Sequence, residues 1–240
     1  MMKIGSYSID EFTAVAQSFH GVAAPGVLIG GFMVDALLRR LENGHLYDAI
    51  CETQNCLPDA IQLLTPCTIG NGWLKVINLG RFALTLYEKT MGHGIRAFVD
   101  TSKIKTWPEI NDWYYKRKKK DEQDFERLVH EINTAGARVC SFSRVRVRDR
   151  YLKKMKRGDI ATCPVCNEGY PYRDGPVCLA CQGGSPYRNK RGWGGPSVVK
   201  LSYPEQRACR HVFQDTTESI RAKQNGGVDG HDQSKVKFFT

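Results

Sequence analysis

Two C-x-x-C pairs, Cys163-Pro-Val-Cys166 and Cys178-Leu-Ala-Cys181, stand eleven residues apart in the last third of the chain. A pair with this spacing places two thiolates on one tight turn, and two such turns facing each other form the tetrahedral four-sulfur cage that zinc favours. A redox C-x-x-C needs one pair rather than two, and a reducing cytoplasm disfavours disulfides. The pattern therefore predicts one structural zinc on Cys163, Cys166, Cys178 and Cys181. Such a site lowers the formal net charge of +10 by two.

A cage of this kind organises only a short segment, so most of the 240 residues must fold around a core of their own, and 41% hydrophobic residues suffice for that. Within the charge-free residues after Glu11, the apolar stretch from His20 to Val34 contains Pro25 and Gly26 and ends at Asp35. That is short of the roughly 20 apolar residues a membrane span requires, so no membrane association is expected. Lys3, Asp10 and Glu11 occupy the place of a signal peptide's apolar core, which points to a cytoplasmic protein. The positive charge is concentrated: residues 100–158 hold 17 Lys and Arg against 9 Asp and Glu, whereas residues 1–99 hold 7 against 8. A basic middle fits nucleic acid, an acidic partner or an anionic ligand, and equally a solvated surface.

Along the first hundred residues helix and strand signals alternate without a repeat. Ser8 and Glu11 form a capping box ahead of Phe12, Val15, Ala16 and Phe19, and Gly21 closes that helix. Pro25 opens a second, with Leu28, Phe32, Ala36 and Leu37 as its apolar face and Asn43-Gly44 as its stop. A strand is expected around Leu46 to Cys51 and a short helix from about Pro58 to Leu64, broken by Pro66. Further strands are expected at Leu74 to Asn78, Phe82 to Tyr87 and Ile95 to Val99. Beyond the basic run Lys116 to Lys120, Phe125, Leu128, Val129 and Ile132 mark a helix ending at Gly136. Val139 to Arg148 reads as a strand with Val139, Val145 and Val147 on one face and Arg144, Arg146 and Arg148 on the other. The expected class is α+β: a mixed core domain over 1–157, a zinc-ribbon or treble-clef finger over 158–184, and a C-terminal extension or arm over 185–240.

Five cysteines remain. Cys56 and Asp59 lie one turn apart on the short third helix, Cys67 lies just past its break, and with His20 they offer soft and hard ligands to a second metal ion. Packing is the competing account of each: a buried cysteine is a small hydrophobe, and Asp59 and His20 suit the ends of helix dipoles. Cys51, Cys140 and Cys209 are assigned to packing, although Cys209 and His211 together can offer two ligands.

Phe19-His20-Gly21, Pro25-Gly26, Gly30, Cys51-Glu52-Thr53, Cys56, Asp59-Ala60-Ile61-Gln62, Leu64-Thr65, Cys67-Thr68, Gly70, Gly72, Gly80-Arg81, Ala83, Thr85 and Arg96 occur in an order that resembles the FmdE family. That family takes its name from a component of formylmethanofuran dehydrogenase, and a four-cysteine finger is also appended to its members. The resemblance implies an α+β core, a homodimer, and a metal site around the helix carrying the Cys-x-x-Asp residues. It also exposes a departure. Where the family reads F-H-G-H-x-C-P-G, this chain has Val22 for the second histidine and Ala24 for the cysteine, and Pro66 and Asn71 replace a glycine and a lysine. His20, Cys56, Asp59 and Cys67 remain.

No Walker A loop, nucleophile elbow, dinucleotide fingerprint or ferredoxin-type cysteine spacing occurs. The expectation is thus an accessory metal-binding protein associated with a molybdenum or tungsten formylmethanofuran dehydrogenase-like oxidoreductase and its subunits. Two other classes stand beside it. A zinc-finger nucleic-acid-binding protein would use Arg144, Arg146 and Arg148 with Tyr170, Tyr172, Arg173, Tyr187, Arg188, Lys190, Arg191 and Trp193. A small metalloenzyme would use His20, Cys56 and Cys67 as ligands and Asp59 as base.

Overall fold

In the computed structural model, which describes residues 3–41, 46–153 and 158–187, the first helix begins where capping chemistry puts it. Ser8 Oγ accepts from the Glu11 N–H at 3.2 Å and the Glu11 carboxylate accepts from the Ser8 N–H at 2.8 Å, at the head of α1 (Ile9–His20). Gly21, at φ +89°, supplies the left-handed turn that ends it. Pro25 occupies the first turn of α2 (Pro25–Leu38). Here the structure departs from the expected single apolar face, because every residue from Gly26 to Val34 is buried, as are Ala36 and Leu37. A helix apolar all round is one enclosed by its neighbours. The expected Asn43-Gly44 stop lies outside the described residues.

Chain order then runs β1 (Lys3–Ile4) and β2 (Tyr7–Ser8) ahead of α1, and after α2 β3 (Tyr47–Cys51), α3 (Leu57–Leu64), β4 (Leu74–Val76), β5 (Ala83–Glu88) and β6 (His93–Val99). Next come α4 (Pro108–Tyr114), α5 (Phe125–Ala135), β7 (Cys140–Arg146) and α6 (Asp149–Leu152). The main sheet has the order β4-β3-β5-β6-β7, antiparallel except where β4 runs parallel to β3. Alternation along its strands sends Ala49, Cys51, Leu84, Leu86, Ala97 and Val99 into the core with α2 and α3, and Ile50 and Tyr87 to the other face, where Val147, Tyr151 and Leu152 cover them.

One expectation needs correcting, and one helix is new. The strand at Val139 to Arg148 is shorter, because Gly136–Val139 form a 3-10 turn that carries buried Val139, and Arg148 already caps α6. Helix α4 was not anticipated. Seven residues are too few for a helical periodicity to register, and its first N–H groups are capped from another element, Glu131 Oε2 accepting from Glu109 and Ile110 at 3.0 and 3.1 Å.

The chain divides into two units, Met1–Met155 and Lys156–Thr240. In the second, β8 (Ile160–Thr162) and β9 (Gly169–Pro171) form a short hairpin followed by one helical turn over Ala180–Gly184. The expected arm over 185–240 lies, after Tyr187, outside the described residues, together with Arg188, Lys190, Arg191, Trp193, Cys209 and His211.

One buried ion cluster fastens the chain leaving β3. Glu52, 5% exposed, accepts from Arg96 Nε at 2.6 Å and a second guanidinium nitrogen at 2.8 Å, and from Arg81 Nε at 2.8 Å. Its backbone carbonyl accepts from the N–H groups of Leu79 and Arg81. The Arg96 guanidinium, with Arg81 adding to it, holds the Glu52 carboxyl below the ordinary carboxylate range despite its burial. Glu52→Gln leaves Arg96 without its anion in a half-buried site and is expected to cost about 3 kcal/mol in urea unfolding at neutral pH. A depressed pKa contributes stability above the unfolded carboxylate value of about 4.3 and loses it as pH falls further. The difference between wild type and variant should therefore shrink in melts recorded below about pH 4.

Candidate functional site

The four finger cysteines converge. Cys163 follows β8 and Cys166 sits on the turn it starts, in which the Asn167 N–H donates to the Cys163 carbonyl at 2.8 Å and Asn167 adopts φ +62°. Cys178 and Cys181 flank the entry to the last helical turn, Gln182 N–H donating to the Cys178 carbonyl. Their sulfurs all lie within 4.8 Å of one another, with Cys166 and Cys178 3.6 Å apart and the Cys178 N–H 3.5 Å from Cys163 Sγ. Backbone N–H groups of Cys166 and Cys178 draw the Cys163 thiol down to about 6, whereas lost hydration and the neighbouring sulfurs push Cys181 up to about 12. Four thiols this close cannot all ionise without a cation between them, and a tetrahedral zinc supplies the +2 that lets them. The donor set fits zinc, as the spacing predicts.

The second set gathers only in part. His20 ends α1, and its Nδ1 lies 2.6 Å from Asp59 Oδ2 in the first turn of α3. With Nδ1–H donating to that carboxylate, the neutral ring would carry its lone pair on Nε2. Nε2 points to Cys56 Sγ at 3.8 Å. Cys56 has φ +55° and ψ −52°, and the Leu57 N–H donates across it to the Asn55 carbonyl, the strained γ-turn that few non-glycine residues adopt. Burial, with the Asp59 charge adding to it, pushes the Cys56 thiol up. Gly26 at the start of α2 makes room for it, since a Cβ there would lie 2.8 Å from Cys56 Cβ and 3.0 Å from its sulfur.

Cys67 stands apart from this trio. Pro66 stops α3, Thr65 turns extended, its Oγ1 accepts from the Cys67 N–H at 3.0 Å, and the Cys67 thiol is aimed at the Tyr47 carbonyl 3.6 Å away. Among the described residues the finger cysteines are the only group of three or more His, Cys, Asp or Glu whose ligand atoms lie within 4.8 Å of one another. The expected quartet of His20, Cys56, Asp59 and Cys67 therefore reduces to a His–Cys pair, with Asp59 orienting the imidazole from its far side in the manner of carboxylates behind metal-bound histidines. Cys51, whose thiol donates to the Thr53 carbonyl at 3.1 Å, and Cys140 are buried packing residues, and burial pushes both thiols up to about 12.

Cys56 borders a cleft of 970 Å³. Phe82 and Trp113 meet edge to face in its wall with ring centroids 6.2 Å apart, and Tyr114 and Phe125 extend the aromatic surface. Val22 and Ala24, where the resemblance expects an imidazole and a thiolate, line the same cleft. So do Lys116 and Lys120, from a basic run to which the sequence assigns no site. The missed signal was Trp107-Pro108, a proline at a helix start, which places Trp113 and Tyr114 on α4 and Lys116 directly after it. On β7, Arg144 and Arg146 are exposed.

Comparison with known proteins agrees with this layout. The family model described as FmdE, Molybdenum formylmethanofuran dehydrogenase operon, matches residues 19–147, and that of the FmdE treble clef zinc finger matches residues 154–188. The crystal structure of a protein from Syntrophus aciditrophicus, described as like the FmdE component of tungsten formylmethanofuran dehydrogenase, is similar with a TM-score of 0.70 and 48% identity, covering 78% of this chain and 100% of that one. A curated protein of Archaeoglobus fulgidus called "Probable S-adenosyl-L-methionine-binding protein" is 27% identical over 189 residues, 70% of this chain. The chain spans 51% of that relative's length.

Cys163→Ser is expected to remove the zinc and unfold its unit locally, because metal binding and folding are coupled in sites of this kind. Elemental analysis should fall by one zinc per chain. In the unaltered chain zinc affinity should weaken as pH is lowered, since protons compete for the thiolates.

Proposed function

The chain belongs to the FmdE family, and from that premise we propose an accessory metal-binding protein that works as a homodimer beside a molybdenum or tungsten formylmethanofuran dehydrogenase-like oxidoreductase. The observation that carries the reading is the orientation of His20. With Nδ1 2.6 Å from the Asp59 carboxylate, which can accept its N–H hydrogen bond, Nε2 is the ring atom facing Cys56 Sγ, at 3.8 Å. Nitrogen and sulfur bound to one tetrahedral zinc are separated by about 3.6 Å, which this pair meets with little movement. Two protein ligands hold a divalent cation loosely, and the remaining positions fall to water or to a partner's group. Val22 and Ala24 contribute no further donors. A loosely held, cleft-side ion suits sensing or transfer of a metal, and binding it expels the Cys56 proton that burial otherwise retains.

The Syntrophus protein's name supports the link to the dehydrogenase. The Archaeoglobus protein's name raises S-adenosylmethionine, but its sulfonium cation is poorly matched to a cleft whose described lining has two lysines and no carboxylate.

Stepwise chelation followed by elemental analysis tests the core site. One zinc per chain should resist a mild chelator, and a second, labile equivalent should be absent from both Cys56→Ala and His20→Ala. Equal metal uptake by wild type and both variants would refute the core site. For the partner, the chain mixed with purified formylmethanofuran dehydrogenase at tens of micromolar should comigrate with it in size-exclusion chromatography, and separate elution argues against the association.

A further inference from the structure

We propose that the cleft beside Cys56 binds a small organic anion with a planar aromatic body. The proposal rests on the reading of this cleft as the working site of its unit, but it requires no metal. Its volume of 970 Å³ is at the upper end of what small-molecule sites enclose. None of its described lining residues is an Asp or Glu, although the chain has 25 of them. Two lysines do line it, and the fold separates them from Arg117 and Lys118 of the same basic run. Lys118 is paired with Glu109 at 3.0 Å and Asp112 at 3.1 Å, and Arg117 with Asp112 at 3.6 Å. The ammonium groups of Lys116 and Lys120 have no carboxylate among the described residues. Two cations in a lining without a carboxylate bias its potential toward positive.

Ala24 and Cys56, the N-caps of α2 and α3, also line the cleft. Strain gathers at the same place: of the three described non-glycine residues with positive φ, Cys56 and Lys116 both line this cleft. In the same lining, Phe82, Trp113, Tyr114 and the half-exposed Phe125 give aromatic surface on which a ring can stack. An anion alone would leave this surface wet, and an apolar ligand alone would leave the lysines without a partner.

Binding of 1-anilinonaphthalene-8-sulfonate to the full, zinc-loaded chain, followed by fluorescence, tests the proposal against its uncharged analogue N-phenyl-1-naphthylamine. The sulfonate should saturate near one equivalent per chain and bind about tenfold more weakly to the Lys116→Gln/Lys120→Gln double variant at low salt. The neutral probe should bind both proteins within about twofold, and Trp113→Ala should weaken both probes. Sulfonate binding should be the same before and after a mild chelator strips any labile metal, so failure of the metal reading and failure of this one are told apart. Sulfonate affinity unchanged in the double variant, or lost in parallel with the neutral probe, overturns the proposal. Thermal melts of each variant establish that it is folded.

Discussion

The close approach of α2 to α3 is the constraint from which the rest of the larger unit follows. It is possible because Gly26 and Gly30 present no side chain: a Cβ on Gly30 would lie 2.8 Å from Ala60 Cβ and 2.9 Å from Leu57. Interiors are packed too tightly to admit such an atom without displacement. With the two helices in contact, the start of α3 is brought to the start of α2, and Cys56 is driven into its strained turn beneath Gly26. The end of α1 then reaches Asp59, and the imidazole is set between carboxylate and thiol. Helix enclosure and site geometry are one packing solution.

The two sulfur environments differ in kind. In the finger four thiolates face one point, two of them on each side of a hairpin-and-turn frame, so the cage itself orders a segment with little apolar core. In the larger unit a complete hydrophobic core already exists, and the His20–Cys56 pair sits on its rim. A metal held there, as proposed, would contribute little to folding and would be free to exchange.

How much of this was legible in the sequence depended on whether the determinant was local. The capping box at Ser8 and Glu11, the stop at Gly21 and the break at Pro66 act through atoms a few residues apart, and each stands where the spacing puts it. The finger is equally local, because its ligands come from two short turns. Enclosure of α2 was not legible, since nothing in its own residues says how many neighbours it will have. The same holds for Cys67: spacing groups it with Cys56, but the extended turn at Thr65 aims its thiol at Tyr47. Lys116 and Lys120 acquire their place only once Glu109 and Asp112 have taken up the charges of Arg117 and Lys118.

Gly26 beneath Cys56 divides the site into a part that can vary and a part that cannot. Positions 22 and 24 lie on the connection between α1 and α2 and both line the cleft, with Val22 more than half exposed and Ala24 at the edge of the core. Exchanging a donor for an aliphatic group there alters coordination and leaves the backbone as it was. Position 26 has no such latitude, because any side chain meets Cys56 at once. A lineage carrying this scaffold can therefore retune what the cleft holds through substitutions on one short connection, while the thiol at its floor keeps its place.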